Sequence, residues 1–266
     1  MLKYFDSHAH YMDEKFDEDR EELLLSLNKD GDVSYIMNVS YDLDSSYKTV
    51  ELCDKYDFCF GAVGIHPHDA DSVTNEVYDT LRKLSEHKKI MAIGETGLDY
   101  YYDNSERDKQ KEEFANHLDL AKELKLPVII HEREAVKDAL DIVLSKDNIG
   151  VFHCYSGSVE TAKILLQKGY YISFAGPVTF KNAKYAKEVA KYVPSDRFLI
   201  ETDCPYQSTE KKSAKRNSSQ QKIYRLISKK KSLPLLTELG SLSYNYTDRI
   251  CIAEGRCPLE LTLEEP

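Results

Sequence analysis

The sequence lacks the long apolar runs that membrane and secretory proteins carry. No stretch approaches the roughly 20 consecutive apolar residues that a membrane-spanning helix needs. Residues 1–6 lead directly into a short apolar run, without the basic region and longer apolar segment of a signal peptide. We therefore expect a cytoplasmic protein that does not span a membrane.

Paired cysteines and low-complexity sequence are also absent. The six cysteines include no Cys-x-x-Cys pair, and free thiols in a reducing cytoplasm explain them most simply. No linker, repeat of a longer unit or low-complexity tract divides the 266 residues, of which 41% are hydrophobic. A chain of this length can bury one substantial core, so we expect a single domain.

Short apolar runs alternate with helical patterns along the chain. Eight runs rich in Val, Ile, Phe and Tyr predict β-strands at 3–5, 35–39, 58–63, 90–93, 127–130, 150–152, 170–174 and 198–200. Between them lie stretches with helical periodicity, and helix-start residues open 105–125, 158–169 and 182–192. Eight strand–helix units in about 250 residues predict an α/β protein with a (β/α)8 barrel, the TIM barrel, over residues 1–250.

Six residues of metal-binding type each lie at the end of a predicted strand. They are His8, His10, Glu95, His131, His153 and Asp203. The active site of a TIM barrel lies at the carboxyl ends of its strands, so side chains from strands 1, 4, 5, 6 and 8 are expected to meet there. A doubly wound open sheet is the alternative fold, but it would gather its ligands near one switch point.

The first and fourth strands supply the most informative ligand types. His8 and His10 are two residues apart in an extended segment, so both imidazoles can point the same way. An isolated His-x-His is also common as a satisfied polar pair, and only its context favours a metal site. That context begins with Glu95, whose two oxygens can bridge two cations and whose flanking residues, Gly94 and Gly97, allow close approach.

The fifth, sixth and eighth strands complete the set. Either His131 or His153 alone would be explained as a capped core histidine, but two at equivalent positions of adjacent strands indicate ligands. Asp203 closes the ring against the first strand, and we expect it to orient a water molecule and accept its proton. Four imidazoles and two carboxylates suit two divalent cations such as Zn²⁺, Mn²⁺, Co²⁺ or Mg²⁺.

Six motifs resemble, in order and spacing, those of the TatD family of metal-dependent deoxyribonucleases. They lie at 6–10 (DSHAH), 64–68 (GIHPH), 94–100 (GETGLDY), His131, 152–157 (FHCYSG) and 201–206 (ETDCPY), within a resemblance that covers residues 1–217. The resemblance implies a TIM-barrel phosphodiesterase that cleaves DNA, with 3′-to-5′ exonuclease action. It also implies that the six candidate residues are metal ligands and that Glu95 bridges the metals.

Four other motif residues are candidates for binding substrate. His66 can donate to a phosphate, with a structural hydrogen bond as the alternative. Tyr155 and Ser156 lead into a helix N-terminus, where free N–H groups favour anionic oxygens. Tyr206 can stack on a base at the mouth of the barrel, or it can pack against loop backbone.

Three histidines and one aspartate remain without an assigned role. The sequence does not distinguish whether Asp99 orients a ligand histidine or caps the following turn. His68 is more distal than His66, which makes a structural role the simpler explanation. We assign no role to His87 and His117, which lie on predicted outer helices.

A basic segment follows the eighth predicted strand, although the net charge of the chain is −10. Residues 211–231 carry nine Lys or Arg residues and no acidic one. A solvated helix face would explain such a run, but its place beside the barrel mouth favours a polyanion delivered to one site, such as single-stranded DNA or a 3′ end, over a long duplex. Lys215 and Arg216 are the expected contacts. Family members usually carry Arg-Gly just before this Lys-Arg-Asn, whereas 213–214 here are Ser-Ala.

The remaining residues are expected to complete the barrel or to lie outside it. The pattern of 218–249 predicts two closing helices, and 251–266 is expected to be disordered or to lie over the surface. Three functions are compatible with the sequence: a two-metal nuclease, a metal-dependent amidohydrolase acting on a small amide or ester, and a non-catalytic metal- or partner-binding protein. Many related amidohydrolases carry a bridging lysine on the fourth strand, so Glu95 favours the nuclease.

Overall fold

A computed structural model describes residues 4–29 and 33–206 of the chain. Eight strands form one sheet in chain order, and each strand is parallel to the next. They are β1 (Tyr4–Ala9), β2 (Val33–Val39), β3 (Cys59–Val63), β4 (Ile90–Asp99), β5 (Val128–Arg133), β6 (Gly150–Phe152), β7 (Tyr171–Phe174) and β8 (Phe198–Ile200). This order confirms the predicted TIM barrel and excludes a doubly wound sheet.

One α-helix follows each of the first seven strands. They are α1 (Arg20–Lys29), α2 (Leu43–Lys55), α3 (Asn75–Leu84), α4 (Arg107–Leu124), α5 (Val136–Ser145), α6 (Val159–Gln167) and α7 (Lys184–Tyr192). Ser158 caps α6 as predicted, because its hydroxyl accepts the N–H of Thr161 at 3.1 Å. Ser105 does not cap α4. Its hydroxyl instead donates to the carbonyl of His68 at 2.8 Å and so joins two loops of the barrel mouth.

The segments that follow β1 and β8 close the barrel. The N–H of Asp203 donates to the carbonyl of His8 at 2.9 Å, and the N–H of His10 donates to the carbonyl of Cys204 at 2.8 Å. All four residues belong to the sequence motifs at the strand ends, and His8, His10 and Asp203 are candidate ligands. The first and last strands are therefore joined by the same segments that carry candidate ligands.

Buried polar side chains strengthen this closure. The two carboxylate oxygens of Asp6 accept the backbone N–H of Thr202 at 3.0 Å and its hydroxyl at 2.7 Å. The hydroxyl of Ser7 donates to the carbonyl of Ile200 at 3.0 Å. Because these groups are buried, each hydrogen bond also satisfies a polar atom that would otherwise destabilise the fold.

Apolar side chains from all eight strands fill the barrel interior. This inner cluster contains Phe5, Met37, Val39, Phe60, Ala62, Met91, Ala92, Ile129, Val151, Tyr171 and Leu199. A larger apolar layer, including Leu24, Leu81, Phe114 and Leu165, packs between the strands and the helices. With the interior filled, the polar motif residues collect at the carboxyl ends of the strands.

Three strands extend beyond the carboxyl ends that the sequence predicts. The predicted ends at Phe5, Ile93 and Ile130 are wrong, because β1 continues to Ala9, β4 to Asp99 and β5 to Arg133. Every residue of β1 and β4 is buried, including the polar ones. Most of the residues added to β1 and β4 are polar or glycine, so their composition resembles that of a loop.

Several sequence predictions concern residues outside 4–29 and 33–206. The predicted helices within 218–249, the basic segment 211–231 and the tail 251–266 all lie there. In the described part, Cys53, Cys59, Cys154 and Cys204 are free thiols, as predicted. No helix among the described residues has the length and apolar character needed to cross a membrane.

Candidate metal centre

All six predicted ligands meet at the carboxyl ends of the strands, around the carboxylate of Glu95. Glu95 lies in β4, His8 in β1 and His131 in β5, whereas His10, His153 and Asp203 follow β1, β6 and β8 directly. Five of the six are buried, and His131 is partly buried. Side chains far apart in the sequence thus share one small volume.

Oxygen Oε2 of Glu95 faces the first group of donor atoms. The Nε2 atoms of His8 and His10 lie 3.3 Å and 3.8 Å from this oxygen and 3.2 Å from each other. Oδ1 of Asp203 lies 3.2 Å from Nε2 of His10 and 3.8 Å from Nε2 of His8. Donor atoms of His8, His10 and Glu95 therefore surround one point, and Asp203 contacts both imidazoles.

Oxygen Oε1 of Glu95 faces a second group. Nε2 of His153 lies 2.7 Å from this oxygen and Nδ1 of His131 lies 2.9 Å from it, and these two nitrogens are 3.2 Å apart. Nε2 of His66 approaches the same oxygen at 3.6 Å. The two oxygens of one carboxylate thus contact two separate sets of imidazoles.

The spacing of these donor atoms fits a divalent cation. A zinc ion with ligand bonds of about 2.0–2.1 Å separates its tetrahedral ligand atoms by roughly 3.3 Å. The nitrogen pair of His8 and His10 and that of His131 and His153 are both separated by 3.2 Å. Imidazole with carboxylate is also a donor set that borderline divalent metals prefer. The residues present therefore suit metal binding in both geometry and chemistry.

Hydrogen bonds to the opposite ring nitrogens direct two imidazoles toward the centre. Nδ1 of His10 lies 2.6 Å from the carbonyl of Val39, so it carries the proton and leaves the lone pair of Nε2 toward Glu95. Nε2 of His131 donates to Oδ2 of Asp99 at 3.1 Å, which leaves the lone pair of Nδ1 free. Nδ1 of His8 has no hydrogen-bond partner within the described residues.

Asp99 has both of the functions that the sequence leaves open. Its Oδ1 accepts the backbone N–H groups of Tyr101 at 3.0 Å and Tyr102 at 2.9 Å, as a residue capping a turn does. Its Oδ2 faces Nε2 of His131 at 3.1 Å and Nε2 of His68 at 3.0 Å. The turn after β4 and the candidate ligand His131 are therefore held by one carboxylate.

Glu201 is a functional residue that sequence reasoning missed. Its Oε1 lies 3.4 Å from Nδ1 of His153 and accepts the N–H of Cys154 at 2.6 Å. Its Oε2 accepts the hydroxyl of Ser173, and the whole residue is buried. Glu201 thus lies behind His153 at ion-pair distance from Nδ1, an atom that has no hydrogen-bond partner within the described residues. The sequence did contain a signal for Glu201. Glu201 and Asp203 are two residues apart after β8, which is the same spacing as that between His8 and His10.

His66 faces the centre as a hydrogen-bond donor. Its Nδ1 accepts the N–H of His68 at 3.2 Å, so a neutral ring carries its proton on Nε2, the atom that approaches Glu95. Burial, together with the nearby charge of His131, lowers the pKa of His66 well below its ordinary value and keeps the ring neutral. This tautomer can donate to an anionic oxygen, as the sequence analysis proposes for substrate.

The other predicted substrate residues occupy different places. Tyr206 is half exposed, its ring meets that of His10 edge-on at 5.3 Å, and its hydroxyl donates to Asp13 at 2.5 Å. Tyr155 is buried and donates to the carbonyl of Ser158 at 2.9 Å, while Ser156 is exposed in the loop that enters α6. Lys215 and Arg216 lie outside the described residues.

The centre concentrates negative charge that a cation would neutralise. Burial alone would raise the pKa of Glu95, but the positive charge of His153 and the contacts with the neighbouring imidazoles outweigh it and hold this pKa well below its ordinary value. Burial likewise opposes ionisation of Asp203, yet the hydrogen bond with His10 and the neighbouring imidazoles lower its pKa. Both carboxylates are therefore ionised at neutral pH.

The two unassigned histidines differ from each other, and the predicted helical position of His87 is wrong because it lies in the turn after α3. His117 of α4 is fully buried, and its Nε2 accepts the N–H of Ile65 at 3.2 Å, directly before His66. Its Nδ1 lies 2.8 Å from the carbonyl of Glu113, so His117 supports the loop from below. His87 pairs with Asp54 at 3.0 Å near the surface, away from the centre.

Comparison with known proteins agrees with the motifs. The family model described as "TatD related DNase" matches residues 5–244. The chain is 44% identical over 216 residues to the uncharacterized metal-dependent hydrolase YabD of Bacillus subtilis (strain 168), covering 80% of this chain and 84% of that protein. It is 33% identical over 206 residues to the 3′-5′ ssDNA/RNA exonuclease TatD of Cronobacter sakazakii (strain ATCC BAA-894), covering 76% of this chain and 78% of that protein.

A solved structure shows the same fold. The crystal structure of YJJV, a TatD homologue from Escherichia coli K12, has a TM-score of 0.82 and 25% identity, and the match covers 92% of this chain and 96% of that one. The family model spans most of the sequence, and the relatives above exceed 30% identity over most of its length. The chain therefore belongs to the TatD family of metal-dependent hydrolases, as its six motifs predict.

Proposed function

We propose that this protein is a deoxyribonuclease that uses two divalent cations to hydrolyse DNA phosphodiester bonds from the 3′ end. The observation that carries the proposal is Glu95, whose two oxygens face two separate groups of imidazoles. A carboxylate in this position can bridge two cations, and paired cations suit phosphodiester hydrolysis. The similarity to the Cronobacter relative, named as a 3′-5′ ssDNA/RNA exonuclease, supports the choice of substrate.

The residues of the two groups would hold the metals. We assign His8, His10, Glu95 and Asp203 to one cation, and His131, His153 and Glu95 to the other. When bound, Zn²⁺, Mn²⁺, Co²⁺ or Mg²⁺ supplies charge that lowers the pKa of a water molecule and attracts phosphate oxygens.

The side chains around the metals would position substrate and move the proton. Asp203 is ionised and lies at the mouth of the barrel, so it can orient the attacking water and accept its proton. His66 presents an N–H and can donate to a non-bridging phosphate oxygen. The loop of Tyr155 and Ser156 leads into α6, whose first N–H groups can bind a further phosphate.

Three further residues are proposed to contact the substrate. Tyr206 presents a half-exposed ring beside His10 and can stack on a terminal base. Lys215 and Arg216 are proposed to attract the phosphate backbone, since they follow the eighth strand in a strongly basic segment.

Cleavage of single-stranded DNA labelled at one end tests this function. We expect purified protein to degrade the strand with Mg²⁺ or Mn²⁺ but not with EDTA. Asp203→Asn removes the proposed base while keeping the side-chain size, and it should lower the rate by roughly 10²–10⁴-fold. His87→Ala removes an imidazole at a distant surface and serves as the matched control. No metal-dependent degradation by the wild type, or equal rates for Asp203→Asn, would contradict the proposal.

The position of the label and the form of the substrate test the finer parts. A 3′-to-5′ exonuclease releases a 3′ label immediately as a mononucleotide and leaves circular single-stranded DNA intact. Cleavage of the circle would show endonuclease action, and a parallel RNA strand would reveal the preferred sugar. Hydrolysis of small amides or esters without cleavage of either nucleic acid would favour an amidohydrolase.

A further inference from the structure

Two exposed tyrosines stand beside the metal centre and take no part in the mechanism above. Tyr101 and Tyr102 follow β4, and their exposed fractions are 54% and 55%. Their rings meet edge-to-face, with centroids 5.0 Å apart and an angle of 89° between planes. Large exposed aromatic rings in contact are unusual on a surface without a partner. The pair therefore needs an explanation beyond packing.

Arg133 completes this surface. Its guanidinium carbon lies 3.9 Å from the ring centroid of Tyr101 and 4.8 Å from that of Tyr102, distances at which a guanidinium stacks on aromatic rings. Among residues 4–29 and 33–206, no carboxylate forms an ion pair with this guanidinium. In a chain with a net charge of −10, a guanidinium beside the candidate site that has no ion-pair partner among the described residues favours an anionic ligand.

The turn that carries the tyrosines is fixed to the metal centre. The N–H groups of Tyr101 and Tyr102 both donate to Oδ1 of Asp99, whose Oδ2 contacts the candidate ligand His131. The ring of Tyr102 also meets that of His68 at 5.3 Å. A molecule that rests on the tyrosines therefore lies at a defined distance from the reacting centre.

We propose that Tyr101, Tyr102 and Arg133 form a stacking platform for the bases of a single-stranded nucleic acid entering the metal centre. This inference rests on the proposed nuclease function and narrows its substrate to single strands or frayed ends. Bases of a single strand can leave their neighbours and stack on protein rings, and Arg133 adds charge for the adjoining phosphates. Bases inside a duplex are already stacked on both faces and cannot use such a platform.

Binding to an uncleavable strand tests the platform apart from catalysis. The probe is a fluorescein-labelled oligothymidylate with phosphorothioate linkages, titrated with Mn²⁺-loaded protein and followed by anisotropy. We expect the double variant Tyr101→Ala/Tyr102→Ala to raise Kd by at least roughly 5-fold and up to about 150-fold, the range for loss of one stacked base. The double variant Tyr101→Phe/Tyr102→Phe keeps the rings and should bind like the wild type.

Tyr192 offers a matched control on another surface. It is also partly exposed at the end of α7, and Lys163 lies over its ring at 5.3 Å. Tyr192→Ala should leave Kd unchanged. If Tyr101→Ala/Tyr102→Ala binds the strand as tightly as Tyr192→Ala does, the platform is overturned, and a protein partner becomes the better explanation of the exposed rings.

A strand without bases at selected positions provides a readout that a purely structural role would not change. An abasic nucleotide in contact with the platform should weaken binding to the wild type but not to Tyr101→Ala/Tyr102→Ala. Equal weakening of both proteins would overturn the proposal. Cleavage of DNA by a protein whose binding ignores both rings would refute the platform and leave the nuclease intact. Ring-dependent binding without cleavage would support the platform and contradict the nuclease.

Discussion

At the scale of single residues, the metal centre depends on which ring nitrogen of each histidine carries the proton. His10 faces Glu95 with Nε2, whereas His131 faces it with Nδ1. The reason is that the carbonyl of Val39 accepts a hydrogen bond from Nδ1 of His10, and Asp99 accepts one from Nε2 of His131. In both rings, an acceptor behind the imidazole leaves a lone pair in front. We therefore expect the partners behind the imidazoles to contribute to metal affinity.

Asp99→Asn tests this dependence. The amide would keep one oxygen for the turn of Tyr101 and Tyr102 but would place an NH₂ group opposite Nε2 of His131. The new NH₂ group and a protonated Nε2 of His131 would be two donors facing each other. The ring would therefore favour the tautomer with its proton on Nδ1, the atom that faces the proposed metal. We expect a loss of metal affinity of roughly 10–100-fold, measured by competition with a chromophoric chelator.

Asp138→Asn is the matched control for this substitution. It makes the same change of charge at a nearby carboxylate, which accepts the hydroxyl of Tyr100 at 2.7 Å and does not contact the candidate ligands. Its metal affinity should equal that of the wild type. A similar loss in both variants would mean that overall charge, and not the tautomer of His131, governs binding.

Candidate ligands are predictable from sequence, but the residues that orient them are much less so. His131 and Asp203 stand out because each follows an apolar strand, and the barrel rule brings strand ends together. Glu201 is two residues from Asp203 on the same strand end, yet its partner His153 lies 48 positions earlier, and that contact appears only in three dimensions. The same holds for His117, whose partner Ile65 lies in the loop after β3, 52 positions earlier.

At the scale of elements, β4 and β5 approach each other closely where they carry the site. Gly97 has a φ of 141°, and a Cβ there would overlap the carbonyl oxygen of His131 and lie 2.9 Å from its carbonyl carbon. The pairing register of the two strands also shifts between Ile93 and Thr96, around Glu95. The motif therefore needs glycine to keep Glu95 and His131 in contact.

Gly97→Ala should damage both stability and metal binding. Strain at positive φ and overlap with β5 together should lower the free energy of unfolding by roughly 2–5 kcal/mol, measured in urea. Gly169 separates the two causes, because its φ is 97° but nothing lies within 4 Å of a Cβ built there. Gly169→Ala should cost only about 1–2 kcal/mol and leave metal affinity unchanged. Equal costs for the two variants would show that the overlap relaxes without effect.

The same elements show where strand prediction from sequence fails. β6 and β8 agree with their predicted bounds, because their residues are apolar throughout. β4 ends at Asp99, six residues beyond the predicted end at Ile93, because Gly94 and Glu95 resemble a turn in composition. An apolar run in the sequence predicts a buried strand. Local composition does not predict a strand whose buried residues are polar and line a charged site.

At the scale of the whole molecule, the barrel and the metal centre are closed by the same residues. The first and last strands meet through the backbone of His8 and Asp203, and both side chains contact Glu95 or its imidazoles. Burial, followed by the charge of His153, lowers the pKa of His8, so its imidazole is neutral and can act as a ligand. A cation held between these residues would therefore join the two ends of the barrel.

Removal of metal should consequently destabilise the entire fold. A cation present at 100 times its Kd stabilises the protein by about 2.7 kcal/mol, and 1 kcal/mol shifts Tm by about 2–4 °C in a domain of this size. We therefore expect a chelator to lower Tm by roughly 5–10 °C in thermal unfolding followed by circular dichroism, and added Mn²⁺ or Zn²⁺ to restore it.

Glu95→Gln, which removes the shared carboxylate, should unfold at a temperature that does not respond to the chelator. If the wild type has the same Tm with and without chelator, the metals do not contribute to closing the barrel. An equal chelator response in both proteins would mean that the stabilising cation binds away from Glu95.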